Sequence, residues 1–570
     1  MLRVRMRAVP FALALGAMCW AAPVTADPFE RLRAAYAARS AEEAAAVYAP
    51  DAVVTYRYNG SPEERHIGRK AIAASFHALF KQIDVAQPLD LNFRAIQRIG
   101  DRVAGVYRLR IGRGPASYGR FTVKLASGGL FASDLSTSAT LADFEEAAGP
   151  VMLATDKETL DRRYYGQLAG RYVWSNGCDL VVTRSVARLF VRDTCTNEWR
   201  GLTRKAGLVW TAGDRVLSDT TTTTYRFDAP RTGLSPSVAV SGKAGTMVAT
   251  RRRLYRQQNV AFASHDGTRL AGTLYVPESR QGRLPASVII HGSGPQDRDG
   301  YASIIAVLAD QLAASGRVVL TYDKRGSGGS SGDGARAGFD HLAADVEAGM
   351  LMLSKFRGVD PNRIGLAGSS QAGWVAARVI ARGANPADVL LLGAAGAAMT
   401  VAEQNLYNTE VRMRCAAIPD ADIQLALDQQ KAFFAYLADS GAASALDALT
   451  AQASQRPKLA DWLFPNSRTT DRSAGAWYVV LDPAFNPLPV WQRYRGKTLF
   501  LFGEHDDSTP TTVAMRRLNG SRTGSQVVPG AQHLGLLASN VCKAELADVQ
   551  AFAPAVMQAV AAFGAASTRQ

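Results

Sequence analysis

The hexapeptide Gly368-Ser369-Ser370-Gln371-Ala372-Gly373, set directly after the apolar run Ile364-Gly365-Leu366-Ala367, constrains this chain more than any other stretch. A short apolar run that ends in small residues around a serine, followed by a helical pattern over 371–381, predicts a strand that turns abruptly into a helix. One serine sits at the tip. Such a turn needs small neighbours, because the backbone passes close to adjacent elements. Gly368 meets that need two residues before Ser370; two residues after stands Ala372, the mildest departure from glycine, with Gly373 next. Ser369 is the rival. Were it central, its flanks would be Ala367 and Gln371, and the glutamine is too large.

A serine hydroxyl is a poor nucleophile unless a base lies within hydrogen-bond reach and a third group fixes the base's tautomer. Asp506 and His533 fit those roles. Asp506 stands in Gly503-Glu504-His505-Asp506 after the strand-like run 498–502. His533 ends Pro529-Gly530-Ala531-Gln532-His533 after the run 525–528. Asp507 is an alternative acid, but the Gly-x-x-Asp spacing and the downstream Thr509-Pro510 favour Asp506. His505 reads as a neighbour of the acid. Catalysis on a carbonyl also needs donors for an oxyanion. The amide of Gln371, opening the helix after the serine, is one. The second comes from His291-Gly292-Ser293-Gly294-Pro295, where Ser293 is the first choice and Gly292 and Gly294 remain open.

The rhythm from residue 257 onward is strand–helix alternation, which predicts a mainly parallel sheet. Strands are expected at 260–264, 270–276, 287–290, 317–322, 363–367, 389–392, 498–502 and 525–528. Helices are expected at 301–315, 342–356 and 371–381. About 100 residues, 398–495, interrupt the pattern; they read as mostly helical and carry Trp462, Trp477 and Trp491.

With these pieces in place the resemblance is specific. His291-Gly-Ser-Gly-Pro-Gln-Asp-Arg-Asp299, Tyr322-Asp-Lys-Arg-Gly-Ser-Gly-Gly-Ser330, Gly368-Ser-Ser-Gln-Ala-Gly373 and Gly503-Glu-His-Asp506 resemble the bacterial exported α/β-hydrolases related to dienelactone hydrolases, acyl esterases and prolyl-oligopeptidase-type peptidases. The order Ser…Asp…His is the order of that fold. The resemblance implies an α/β-hydrolase fold with a helical cap inserted at about 398–495. It also implies a cofactor-free serine hydrolase acting through an acyl-enzyme on a carboxylic ester, or alternatively a peptidase or amidase acting on short peptides. Fold does not fix substrate.

Two further modules are expected before it. Residues 27–150 read as α+β: helices at 29–48 and 71–80, then strands at 52–58, 91–96, 102–110 and 119–124. The stretch Tyr36-Ala-Ala-Arg-Ser-Ala-Glu-Glu-Ala-Ala-Ala-Val-Tyr48-Ala-Pro-Asp51, followed by Gly68-Arg-Lys-Ala-Ile72, resembles the NTF2-like (SnoaL-like) cone fold. That resemblance implies an accessory or homodimerising module. A non-catalytic binding protein using the cone is the competing reading for the whole chain. Residues 151–256 carry short strands near 172–174, 180–182, 189–191, 208–210 and 225–227, which predicts a small β-sandwich or barrel without chemistry of its own.

At 570 residues the chain exceeds one ordinary domain. Its net charge of +15 is spread rather than clustered, with no nucleic-acid motif, so no nucleic-acid partner is expected. Arg251-Arg252-Arg253 is the densest basic cluster and reads as solvated surface. Residues 1–26 read as an export signal: Arg3, Arg5 and Arg7, an apolar stretch over 9–22, and small residues at Val24-Thr25-Ala26. A periplasmic or secreted location follows, with no membrane-spanning segment after removal. A lipid-anchor site at Cys19 is the poorer alternative, because Met18 is bulky where a small residue is wanted. Export permits disulfides. The expected pairs are Cys178–Cys195 across a hairpin and Cys415–Cys542 between the insertion and the C-terminal helix. The seven histidines include no paired ligand spacing, so no metal is expected. The glycine-rich 326–334 lacks the Gly-Lys-Ser/Thr ending of a phosphate cradle.

Overall fold

The structure is a computed structural model that describes residues 28–566 apart from 58–62, 82, 84–88, 100, 112–115, 127–129, 140–143, 145–161, 186–187, 219, 231–232, 279–281, 439, 457–458, 460–461, 463–481, 483 and 520–522. The expected export signal, the expected junction near 150 and Trp477 lie outside the described residues.

The C-terminal part is an eight-stranded sheet. Its strands are β1 (Tyr255–Ala263), β2 (Arg269–Pro277), β3 (Leu284–Ile290), β4 (Val318–Tyr322), β5 (Val359–Ser369), β6 (Asp388–Leu392), β7 (Lys497–Gly503) and β8 (Ser525–Val528). They lie in the order β1-β2-β4-β3-β5-β6-β7-β8. Strand β2 runs antiparallel to both β1 and β4, and every later pairing is parallel. Strands β3, β4 and β6 are buried along their whole length, as a sheet covered on both faces requires. Alternate residues feed two cores. Val288, Ile290, Leu320 and Leu366 join the core on one face, with residues of α2 (Phe339–Ser354) and α3 (Ala372–Ala381). Ile289, Val319, Ala367 and Leu390 join the other, with the helices α1 (Ile304–Ala314) and Pro554–Ala566.

Register decides the site. Ile290 pairs with Gly368, Ser369 with Leu392, Leu392 with Leu501, and Gly503 with Val528. The carboxyl ends of β3, β5, β6, β7 and β8 therefore finish level. The loops carrying His291, Ser370, Gly393, Asp506 and His533 rise from one edge, beside the point where strand order reverses.

The insertion after β6 is helical where described: α4 (Val401–Cys415), α5 (Asp420–Leu437), Ala443–Ser454 and the short Leu488–Arg493. Thr400 starts α4 with a capping box to Glu403. The helix α6 (Thr511–Leu518) follows β7.

The strands over 170–252 form a closed antiparallel barrel of eight, in sequential order, shut by pairing Thr250 with Val173. Trp199–Ala206, Ser237–Gly242 and Gly245–Arg252 are strands that the sequence expectations lacked. The barrel interior is filled by Tyr172, Leu180, Trp210 and Val238, among others. Arg251 is not solvated surface; its guanidinium donates to the carbonyls of Gln167, Leu168, Ala169 and Ser235, whereas Arg252 and Arg253 are exposed. Cys178 and Cys195 are bridged across the hairpin Asp179–Ser185/Arg188–Asp193.

The first sheet has six strands, with Tyr48–Arg57 parallel to Phe131–Ser138 and the rest antiparallel. The expected helix at 29–48 is two, Pro28–Ala38 and Ala41–Ala46, broken where Arg39 takes a positive φ and Ser40 caps the second. Tyr48 already belongs to a strand.

Candidate active site

Ser370 stands between β5 and α3 with φ +56, one of few non-glycine residues in the left-handed region. Strain of that kind is held by its surroundings. Here the Ser370 amide donates to the Leu392 carbonyl at 3.0 Å, and its carbonyl accepts from the Gly373 amide at 3.1 Å. Gly368 is indispensable to the turn: a Cβ there would lie 2.5 Å from both the Ile290 oxygen and the Ala372 Cβ. Alanine at 372 is tolerated because residue 368 has no side chain.

Asp506 and His533 meet. His533 Nδ1 lies 2.9 and 3.0 Å from the two carboxylate oxygens of Asp506. Asp506 is buried, and its Oδ1 also accepts from the amides of Ser508 at 2.8 Å and Thr509 at 2.6 Å. Those bonds aim the carboxylate at the imidazole. Burial works against a protonated His533, but the Asp506 charge and hydrogen bond, with Asp507 adding to them, outweigh it and raise its pKa above 6.5. Asp507 takes no part in the contact with Nδ1; its carbonyl accepts from Asn408 at 3.0 Å.

The serine turn and the histidine both border the end of β6. Leu392 receives the Ser370 amide, and the next residue, Gly393, lies against His533. A Cβ on Gly393 would fall 2.1 Å from the His533 carbonyl oxygen and 3.0 Å from Nδ1, and its φ is +56. Only glycine fits this contact.

The other flank is the loop after β3. A Cβ built on Gly292 would lie 3.6 Å from the Ser370 Cβ, so this loop borders the serine turn. The Ser293 side chain is exposed, while Gln371 is buried at the start of α3. Lys324, which follows β4, reaches both this loop and Gln371. Its Nζ donates to the Gly292 and Gly294 carbonyls at 2.9 Å each and to Gln371 Oε1 at 2.7 Å. Burial pulls its pKa down to about 7, opposed by Asp345 on α2. The residues on either side of Lys324 anchor elsewhere. Asp323 pairs with Arg298, and Arg325 with Asp345 and Asp266. Lys324 lies within the sequence motif 322–330, where its residue type alone gives it no task. Nothing in its spacing reveals one, because its partners lie 30 to 47 residues away.

The insertion leans on the acid loop. Gln404, Tyr407 and Asn408 share one face of α4 at helical spacing. They donate to the carbonyls of Ser508 at 2.8 Å, Asp506 at 2.9 Å and Asp507 at 3.0 Å. Cys415 at the end of α4 is bridged to Cys542. Cys542 lies in the short turn Val541–Lys543 between the histidine loop and the last helix, not in that helix as expected. A cleft of about 490 Å³ lies between α4, α5 and α6, lined by the apolar Leu406, Ile423 and Leu427 and by the charged Glu410, Arg414 and Lys431, among others. Among the described residues no cluster of His, Cys, Asp or Glu is arranged to hold a metal, and no helix is long and apolar enough to cross a membrane.

Residues 288–547 match the sequence model of the alpha/beta hydrolase family. No curated protein sequence matches the chain. Among solved structures, a hypothetical protein from Pseudomonas aeruginosa is 20% identical and covers 50% of this chain and 90% of its own, with a TM-score of 0.34. The alpha/beta hydrolase GrgF from Penicillium sp. sh18 is 20% identical over 49% of this chain and 91% of its own, TM-score 0.32. Est1E from Butyrivibrio proteoclasticus, solved with ferulic acid bound, is 14% identical over 55% of this chain and 100% of its own, TM-score 0.35. The α/β-hydrolase fold of the C-terminal part is thus carried by its strand order and by the family match.

Proposed function

We propose that the chain is an exported serine hydrolase that cleaves carboxylic esters, with Ser370 as nucleophile, His533 as base and acid, and Asp506 as orienting carboxylate. The observation that carries this reading is the His533–Asp506 contact at 2.9 Å, placed beside a serine held at positive φ on the same sheet edge. Asp506 holds the proton on Nδ1, leaving Nε2 free to accept one. Ser370 Oγ attacks the ester carbonyl carbon while its proton passes to Nε2. The carbonyl oxygen becomes an oxyanion, received by the amides of Gln371 and Ser293. Collapse expels the alcohol, which takes the proton from His533, and leaves the acyl group on Ser370. Water, deprotonated by His533, then releases the acid. No step needs a cofactor. The insertion acts as a cap, and its cleft sets the apolar Leu406, Ile423 and Leu427 beside the charged Glu410, Arg414 and Lys431. The two disulfides accord with export. The barrel and the first sheet, read as an NTF2-like module, are accessory.

A screen of short p-nitrophenyl esters beside aminoacyl p-nitroanilides tests the proposal. Ester turnover that Ser370→Ala abolishes is the expected result. Anilide turnover alone would move the reading to a peptidase. Turnover of neither, in a folded sample, would favour a binding protein built on the first sheet.

A further inference from the structure

A buried ammonium is costly unless each of its N–H groups finds an acceptor. Lys324 is buried, and in its protonated form it has three acceptors for three donors: the Gly292 carbonyl, the Gly294 carbonyl and Gln371 Oε1. The residues it grips are the ones that frame the oxyanion. The Gly292 carbonyl belongs to the same peptide unit as the Ser293 amide. A trans peptide is planar, with C=O and N–H pointing in opposite directions. Fixing the Gly292 oxygen on Lys324 therefore fixes the Ser293 N–H to point away from the lysine. Gln371, gripped through its side chain, carries the other amide. Its own position is set by the turn that holds Ser370.

The rest of the loop is tied as well. Gln296 Nε2 donates to the Ser293 carbonyl at 2.7 Å, and the Gln296 carbonyl accepts from the Lys324 amide at 3.0 Å. Arg298 closes the loop on Asp323 with its amide at 2.8 Å and a bidentate guanidinium contact at 3.0 and 2.7 Å. Lys324 is the element of this knot that reaches both Gly292 and Gln371.

We infer that Lys324 is a positioning residue: by holding the Gly292–Ser293 peptide and the Gln371 side chain on one ammonium, it sets the two oxyanion donors at a fixed separation across Ser370. This rests on the hydrolase reading above. Lys324 touches no reacting atom. It acts by keeping two amides preorganised, which is where an oxyanion site gains its rate.

The test is Lys324→Met in the full chain, assayed with a p-nitrophenyl ester and with an alkyl trifluoromethyl ketone. In the ketone adduct Ser370 Oγ adds to the carbonyl carbon, the proton goes to His533, and the ketone oxygen becomes the oxyanion. The adduct thus reports on the donors directly. The expected result is a kcat lower by about 100-fold, the scale of losing one donor. KM should move by less than about threefold, because the lost contact matters only in the transition state. The ketone's inhibition constant should rise by a factor similar to the loss in kcat/KM. A kcat within about twofold of wild type, or a loss carried wholly by KM, overturns the inference. A weakened kcat with unchanged ketone binding does the same. Should Lys324→Met fail to fold, Lys324→Gln gives the same comparison with two N–H donors retained and a smaller, about tenfold, loss expected. Here too an unchanged kcat overturns the inference. A wild-type protein inert to both the ester and the ketone would instead remove the hydrolase reading.

Discussion

The two flanks of the site are built from different materials. On the serine flank, position is set by backbone: a left-handed Ser370, a glycine at 368, and a loop pinned by a buried lysine and a buried Arg298–Asp323 pair. On the acid–base flank, position is set by side chains reaching in from the insertion. Three residues of α4 hold the carbonyls of 506–508, and a disulfide joins the end of α4 to the segment after His533. The first flank is part of the sheet and its core. The second depends on a separate helix staying docked. The comparison implies that damage to the serine flank is felt as lost chemistry, and damage to the insertion as a graded loss of alignment.

The largest effect expected is Ser370→Ala, which should cut kcat by at least about 10⁴-fold with an unchanged melting profile, since a triad member can be removed without unfolding the protein. Asp506→Asn comes next. It should lower kcat by up to about 10⁴-fold by releasing the His533 tautomer. It also shifts the pH profile. The base must be neutral to act, and its pKa is raised, so wild-type kcat/KM should climb with pH through a midpoint above 6.5. Removing the Asp506 charge leaves burial unopposed by its main partner, and the midpoint should fall. A midpoint that does not move would show that Asp506 is not the group facing His533.

Gly393→Ala should follow, at about 100-fold, because the new Cβ would meet the His533 backbone and the residue would keep an unfavourable positive φ. Normal activity there would mean that the contact between β6 and the histidine loop is not needed. Tyr407→Phe removes one strut from the α4 side and should cost about 1 kcal/mol or less in alignment or stability. A several-fold fall in kcat/KM is the expected readout, well below that of Gly393→Ala. A larger effect from Tyr407→Phe than from Gly393→Ala would mean that the insertion, rather than the end of β6, sets the position of His533.

Much of the C-terminal part was legible because buried parallel strands are short apolar runs and the loops after them carry residues of distinct chemistry. Strand β8 has the residues expected of it, and Asp506 and His533 meet as their chain order suggests. The barrel was legible only as a set of short strands. Its closure rests on Thr250 meeting Val173 across the whole module, and strands such as Trp199–Ala206 carry too many polar residues to stand out. Arg251 reads as surface in a basic triplet because a sequence does not display the four carbonyls that receive it. Lys324 was hidden for the same reason: its three acceptors are assembled by register, not by spacing. The single helix expected at 29–48 missed the break at Arg39, where alanine-rich composition continues through a positive φ.

The proposed chemistry requires the hydroxyl of residue 370 to be the group that attacks. Reaction of the folded protein with a fluorophosphonate, followed by peptide mass spectrometry, tests it most directly. One adduct is expected, on Ser370, formed far more slowly when His533 is replaced by alanine. An adduct on Ser369, or no adduct in a folded sample, would contradict it.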